Sequence, residues 1–359
     1  MELKVKVFRN LPYATLRNFM FLSKECMEVS SLLKPSVHAV SLYDEANEVK
    51  SFAAIVVYDT PDEAANVEES YTIGFSSVKG RSCIARRSKK GGQNVASGLE
   101  YPMESCSTVS MRVLFQITKN LKPGSVDLHL TNIADAKITL SKLPSTSLIT
   151  CGALTVHAVD FSFLSMLMPH VSPGCILRFY VYDPSSFEDN VLNSGLFDFE
   201  VVKAAPFIDI NVDCEINDEQ FICLRASNLH LKAPRISEKG LNALILGISC
   251  SHLWKTPNCS ILFTAVDERE AKSSQIRIAK TKTFNYDMIF ENVDKTKVQS
   301  SSLELLQIPF FDKYVKIRPP HERLALVRNE LGDRLLVNIS LNYCEIVDPY
   351  SEYMSRNYR

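Results

Sequence analysis

Lys79, Arg81, Arg86, Arg87, Lys89 and Lys90 crowd one short stretch that runs into Gly91-Gly92, and no Asp or Glu occurs between Glu69 and Glu100. Clustered Lys and Arg neutralise phosphates and release counterions, so this stretch is the first candidate for nucleic-acid contact. It reads as a flexible basic loop whose glycines let the backbone follow an irregular strand. Single-strand binders add aromatic platforms. Here only Tyr71 and Phe75 are near, which points to electrostatic binding without sequence preference. The same cations also suit a solvated loop, a nuclear-import patch or a contact with anionic lipid. A second basic stretch, Arg277, Lys280 and Lys282, is offset by the acidic residues that precede it.

Catalytic chemistry has weaker carriers. The chain lacks GxSxG, HExxH, a Walker loop and GxGxxG. Its seven histidines are isolated in sequence, and His157 falls in an apolar strand, where a hydrogen-bonded core imidazole is expected. None of the ten cysteines forms a CxxC pair, and none has zinc-ligand spacing to a His. The expectation is free thiols in a reducing compartment, with no metal, no cofactor and no catalytic residue. One acidic residue stands out. Asp183 ends an alternating apolar segment and precedes Pro184, a position where its side-chain oxygen would cap the following turn. Glu188 and Asp189 beside it read as the rim of a polar loop rather than as an acid–base pair.

The elements that must position these groups read as mostly strands. Leu3 to Phe8 suggests a strand, Leu16 to Leu33 a helix, and Phe52 to Tyr58 a strand. Val109 to Thr118 and Ser125 to Thr131 read as strands flanking a Lys122-Pro123-Gly124 turn. Leu154 to Leu164 and Cys175 to Asp183 read as a hairpin about Pro173-Gly174, with Cys175, Leu177, Phe179 and Val181 on one face. Phe197 to Val201, Phe221 to Ala226, Ala243 to Cys250 and Cys259 to Ala265 complete the set. Pro319 to Gly332 is punctuated like a helix, and Arg334 to Val347 alternates like a last strand. No internal repeat and no βαβ rhythm is visible. The expected fold class is therefore mainly β: an antiparallel jelly-roll-like sandwich core at 106–265, an N-terminal α/β extension at 1–105 and a partly helical C-terminal region at 266–359.

Composition sets the outer limits. The 359 residues suffice for a full core with extensions, and 46% hydrophobic with 23% charged residues is an ordinary globular balance. A formal net charge of −1 means that any affinity for a polyanion must be local. The N-terminus lacks the apolar core of a signal peptide, and no apolar window reaches the roughly 18–20 residues of a membrane span.

From about Thr150 to Cys259 the chain resembles the 30K superfamily of plant-virus movement proteins. The resemblance rests on the apolar strand Leu154 to Leu164, the Pro173-Gly174 turn, and Ile176 to Asp183 ending in the signature Asp. It continues through the polar loop Ser186 to Asn193, Gly195, the aromatic run Phe197 to Val201, Asn228-Leu-His-Leu231, Gly240, and Leu244 to Cys250. Pro184 departs from the family, in which many members carry a charged residue after the Asp. Chain length and extensions look most like the movement proteins of segmented negative-strand plant viruses such as the emaraviruses. The resemblance implies a jelly-roll core that binds single-stranded viral RNA or nucleoprotein without sequence preference, self-associates, meets plasmodesmal or membrane-associated host proteins and modifies plasmodesmata. It implies a structural role for Asp183, with Gly174, Gly195, Asn228 and Gly240 as further matching positions. The expected location is host cytoplasm and plasmodesmata, with no secretion. The alternative is a viral matrix-type structural protein that binds anionic membrane and nucleocapsid.

Overall fold

The structure is a computed structural model. It describes residues 7–8, 11–19, 23–24, 26, 28–29, 33–46, 51–65, 70–78, 82–88, 98–182, 191–226, 228–250, 258–262, 286–291, 298–299, 323–328, 334–339 and 343–347. The chain divides into two compact units, Met1–Asn190 and Val191–Arg359. Both are mainly β with helices, and in both the pairing is mixed parallel and antiparallel.

The first unit opens with helix α1 (Tyr13–Phe19), whose first amide donates to both carboxylate oxygens of Asp59 at 3.0 Å. Strands β1 (Ser36–Ala46) and β2 (Ser51–Tyr58) follow, then the short helix α2 (Pro61–Ala65), β3 (Tyr71–Val78), β4 (Ser82–Ser88) and β5 (Leu99–Pro102). These five strands form an antiparallel meander. The chain then changes rhythm. Helix α3 (Cys106–Lys119) leads to β6 (Lys122–Leu130), α4 (Ile133–Lys142) to β7 (Ala153–Ala158), and α5 (Leu164–Leu167) to β8 (Ile176–Val181). β6 lies parallel to β1, β7 to β6 and β8 to β7.

The antiparallel order expected for this region is thus corrected. Leu154 to Asp183 is not a hairpin, because β7 and β8 run the same way and are joined through α5. The Lys-Pro-Gly sequence is not a turn but the start of β6, where a proline is tolerated because it opens the strand. Val109 to Thr118 is helical for reasons written locally. Ser105 caps α3 by accepting from the Thr108 amide at 3.1 Å, and Cys106, Val109, Leu114, Phe115 and Thr118 bury one stripe at helical spacing. Asn132 caps α4 the same way through the Asp135 amide. Along β6, β7 and β8 the residues Val126, Leu128, Leu154, Val156, Leu177 and Phe179 are fully buried. The strand-and-helix unit therefore recurs, although no repeat is visible in the sequence.

The second unit holds β9 (Val191–Leu192), a 3-10 turn at Ser194–Asp198, α6 (Glu200–Lys203), β10 (Phe207–Cys214), α7 (Asp218–Ile222), β11 (Asn228–Lys232), α8 (Glu238–Cys250) and β12 (Asn258–Leu262). β9, β10, β11 and β12 pair in parallel. Beyond α9 (Tyr286–Ile289) come β13 (Val298–Gln299), β14 (Arg323–Arg328), β15 (Arg334–Ile339) and β16 (Tyr343–Val347), an antiparallel meander whose last strand pairs with β12. The unit has the parts of the first one in the reverse chain order, parallel strands first and meander second.

Five further expectations change here. Phe197 to Val201 is a 3-10 turn running into α6, and the start of the Phe221 to Ala226 run belongs to α7. Ala243 to Cys250 lies in α8, where Leu241, Leu244 and Ile245 bury a helical stripe. Within Pro319 to Gly332 the described residues form a strand, β14, and the single alternating run to Val347 is two strands, β15 and β16. Short apolar runs carry both periods, and β14 pairs along its whole length with β15, an interaction no local signal encodes.

Candidate functional site

In the first unit the registers of β1, β6, β7 and β8 align two rows of side chains on the face turned away from α3. Tyr43 lies opposite His129, His129 opposite His157, and His157 opposite Tyr180. One step along, Ser41, Asp127, Thr155 and Arg178 form the second row. Parallel strands in register place equivalent residues on the same face, so the rows follow from the pairing.

The first row is a stack of rings. Tyr43 and His129 stack at 4.6 Å between centroids, and His129 and His157 at 4.5 Å with planes 2° apart. His157 and Tyr180 follow at 5.2 Å, and Tyr182 meets His129 edge-on at 6.4 Å. Both faces of His129 are therefore occupied by neighbouring rings, and what the row offers is ring edges bearing N–H groups, ring nitrogens and hydroxyls. Below it the Ser41 and Ser125 hydroxyls each donate to Asp127 at 3.3 Å. Tyr58, 4% exposed, hydrogen-bonds Tyr43, and burial, Tyr43 and Asp127 push its phenol well above the ordinary range.

Burial, and secondarily His157, brings the His129 imidazole down to about 4, and burial lowers His157 as well. Two imidazoles stacked this closely at half-buried positions stay neutral at physiological pH. His157 is therefore not the core histidine expected from the sequence. That role belongs to His170, buried, with Nδ1 2.9 Å from the Ser147 carbonyl and its ring edge-on to Phe115.

The opposite face of the same sheet carries Asp44, 2% exposed at the end of β1. Its carboxylate accepts from Ser107 Oγ at 2.9 Å in the first turn of α3 and from the Asn132 amide at the start of α4. Burial nevertheless raises its pKa to about 6. Its position between two helix starts ties α3 and α4 to β1.

The residues singled out from sequence are not gathered at this face. Lys79, Arg81, Lys89, Lys90 and Asp183 lie outside the described residues. Arg86 and Arg87 are not in a loop but at successive positions of β4, opposite Gly74 and Ile73 of β3, and Arg86 is exposed. Gly174 has φ +88°, the left-handed region that favours glycine, in the turn before β8. In the second unit Gly195 donates its amide to the Asn193 side chain at 2.8 Å, and Asn228 opens β11 opposite Phe207. Gly240 sits in the first turn of α8 against Asp218 of α7.

Asp218 accepts from the Ser237 amide at 2.8 Å and from the Ser237 hydroxyl, which holds the carboxylate where a Cβ on Gly240 would collide with it. Alanine normally favours a helix over glycine by about 1 kcal/mol. Here Gly240→Ala is expected to destabilise the second unit by about 1–2 kcal/mol, since Asp218 must leave its cap. The same substitution in an Asp218→Ala background should cost little, and urea midpoints of the four proteins measure that coupling.

Sequence reading missed Tyr43, His129 and Tyr180. A signal existed in Val126-Asp-Leu-His-Leu130, Leu154-Thr-Val-His-Ala158 and Leu177-Arg-Phe-Tyr-Val181, which put a polar ring at the same place in three alternating strands. Among the described residues no group of three His, Cys, Asp or Glu could hold a metal ion, and no helix is long and apolar enough to cross a membrane. No family model, curated protein or solved structure matches this chain.

Proposed function

We propose that this chain is a non-catalytic recognition scaffold whose first unit binds a segment of a partner protein along the row Tyr43–His129–His157–Tyr180. The observation that carries this reading is the stack itself, four rings from four parallel strands held edge-outward on the face without α3. Neutral imidazole edges supply both donors and acceptors, and tyrosine hydroxyls do the same, which matches the alternating donors and acceptors of a polypeptide segment. Parallel strands that begin at Lys122, Ala153 and Ile176, each pair joined through a helix, resemble the repeats of about 20–30 residues that display a sheet face for binding.

Nucleic acid fits the row less well. Nucleotide bases need free ring faces, and those of His129 are covered. Phosphates need clustered cations, whereas the adjacent row holds one cation, Arg178, and the carboxylate of Asp127, with Thr155 between them. The movement-protein reading, with single-stranded viral RNA or nucleoprotein as cargo, self-association, plasmodesmal partners and a jelly-roll core, is supported by exposed Arg86. The membrane-binding matrix reading draws on the same residue. The movement reading rests on a resemblance from about Thr150 to Cys259, a stretch in which several elements are helical or parallel.

The test compares affinity capture by the full chain and by His129→Ser/Tyr180→Ser, with circular dichroism melts run in parallel. Partner proteins depleted about tenfold or more on a variant that still folds support the proposal. Equal capture by both overturns it. Salt-sensitive binding of a fluorescent single-stranded RNA that is lost in Arg86→Glu would favour the movement reading. Binding to phosphatidylserine vesicles lost in that variant would favour the matrix one.

A further inference from the structure

Two cysteines of the first unit lie where neighbouring parallel strands begin. Cys151 stands two residues before β7, and Cys175 directly precedes β8. Ala153 pairs with Ile176, and the Ile176 amide donates to the Gly152 carbonyl at 2.9 Å, so both cysteines sit on adjacent, hydrogen-bonded backbone. Neighbouring strands are about 4.8 Å apart, and one diagonal step keeps Cα atoms within the roughly 4.4–6.8 Å that a disulfide spans. Both thiols are free, and they hydrogen-bond each other. Cys151 is half-buried, which opens the pair to small solutes, while Cys175 is 1% exposed.

The geometry points to Cys151 and Cys175 as a reversible oxidation site, closing to a disulfide that ties the start of β7 to the start of β8. The Cys151 S–H donates to the Cys175 sulfur, which holds the Cys175 thiol below its ordinary range and Cys151 above it, so the thiolate of the pair is Cys175 and Cys151 is the thiol that closes the bridge. The oxidant is a hydroperoxide. A thiolate sulfur attacks one peroxide oxygen, the O–O bond breaks, and the departing hydroxide takes up a proton to become water, leaving a sulfenic acid. The second cysteine then attacks that sulfur, loses its proton, and releases the sulfenic oxygen as a second water. A dithiol reductant reverses the step by exchange and is itself oxidised. Gly174, with nothing within 4 Å of where a Cβ would be, gives the backbone before Cys175 room to adjust. Cys83 and Cys106 also hydrogen-bond each other, but both are fully buried, which makes them an internal control.

The test is direct, because trypsin releases Leu143 to Arg178 as one peptide that contains both cysteines and no other. The full chain is treated with hydrogen peroxide, alkylated, digested and weighed. The expected peptide is unalkylated, two hydrogens lighter, and becomes doubly alkylated if dithiothreitol precedes the alkylation. Cys83 and Cys106 should remain alkylated. A peptide that stays doubly alkylated overturns the site, as does one cysteine at the sulfinic or sulfonic level with the other still free. Cys151→Ser, at the half-buried position, should abolish the reversible loss of alkylation at Cys175, and its persistence would also overturn the pairing. None of these readouts depends on what the ring ladder binds.

Discussion

Phe179→Ala is expected to destabilise the first unit by about 3–5 kcal/mol, whereas Tyr180→Ala, one residue further, should cost about 1 kcal/mol. Phe179 is fully buried, 6.4 Å from the tilted ring of Phe161, and close to Val156 of the neighbouring strand. Removing its ring leaves a cavity that hydrogen-bonded strands cannot close. Tyr180 points to the other face, where it is half-buried and its ring is tilted against His157, so its loss leaves no closed cavity. Urea midpoints for the two variants measure the contrast, and hydrogen exchange of the peptides spanning Lys122 to Val181 assigns it to this unit. Equal costs at both positions would contradict the alternation of β8.

Asp44→Asn is expected to make the protein more stable than wild type at neutral pH and no more stable in acid. The folded-state pKa of about 6 lies above the ordinary 3.8, so the folded chain binds this proton more tightly than the unfolded chain. Its stabilising contribution is fully present below about pH 4 and is lost as pH rises through 6. At about 1.36 kcal/mol per unit, the loss is on the order of 3 kcal/mol. Asn stays neutral and keeps an acceptor for Ser107 Oγ and the Asn132 amide. The depressed His129 and His157 act with the opposite sign, since their contribution is present above about 6.5 and is lost as pH falls below it, for His129 down to about 4. Both proteins share that term, so the difference between them isolates Asp44. Urea unfolding of the pair from pH 4 to pH 7.5 should show a gap that opens with pH. A constant gap would mean that Asp44 does not titrate in this window.

Much of the local structure is legible in the chain. Ile176–Val181 alternates between half-buried and buried positions as its apolar residues dictate, and Ser51–Tyr58 is the strand that its β-branched run suggests. Helix Tyr13–Phe19 starts before the expected Leu16 to Leu33 and shares Leu16 to Phe19 with it. Other segments carry both periods at once. Val109 to Thr118 reads as a strand by composition, yet Ser105 and the buried stripe from Cys106 to Thr118 make it a helix. The Ala243 run is helical for the same reason, whereas only Phe221 and Ile222 of the Phe221 run belong to a helix, one closed by the Asn217–Gln220 capping box.

What the sequence determined by itself is the set of residues that must be buried and the alternation that buries them, since both follow from side-chain chemistry within a few residues. Tertiary structure alone decided that β1, β6, β7 and β8 run parallel in one register. Strand direction depends on crossovers whose helices pack on the sheet, and no short-range pattern encodes it. The candidate site depends on that register. Tyr43, His129, His157 and Tyr180 become one row only when four distant strands align, and a shift of one residue would turn any of those rings to the other face of the sheet.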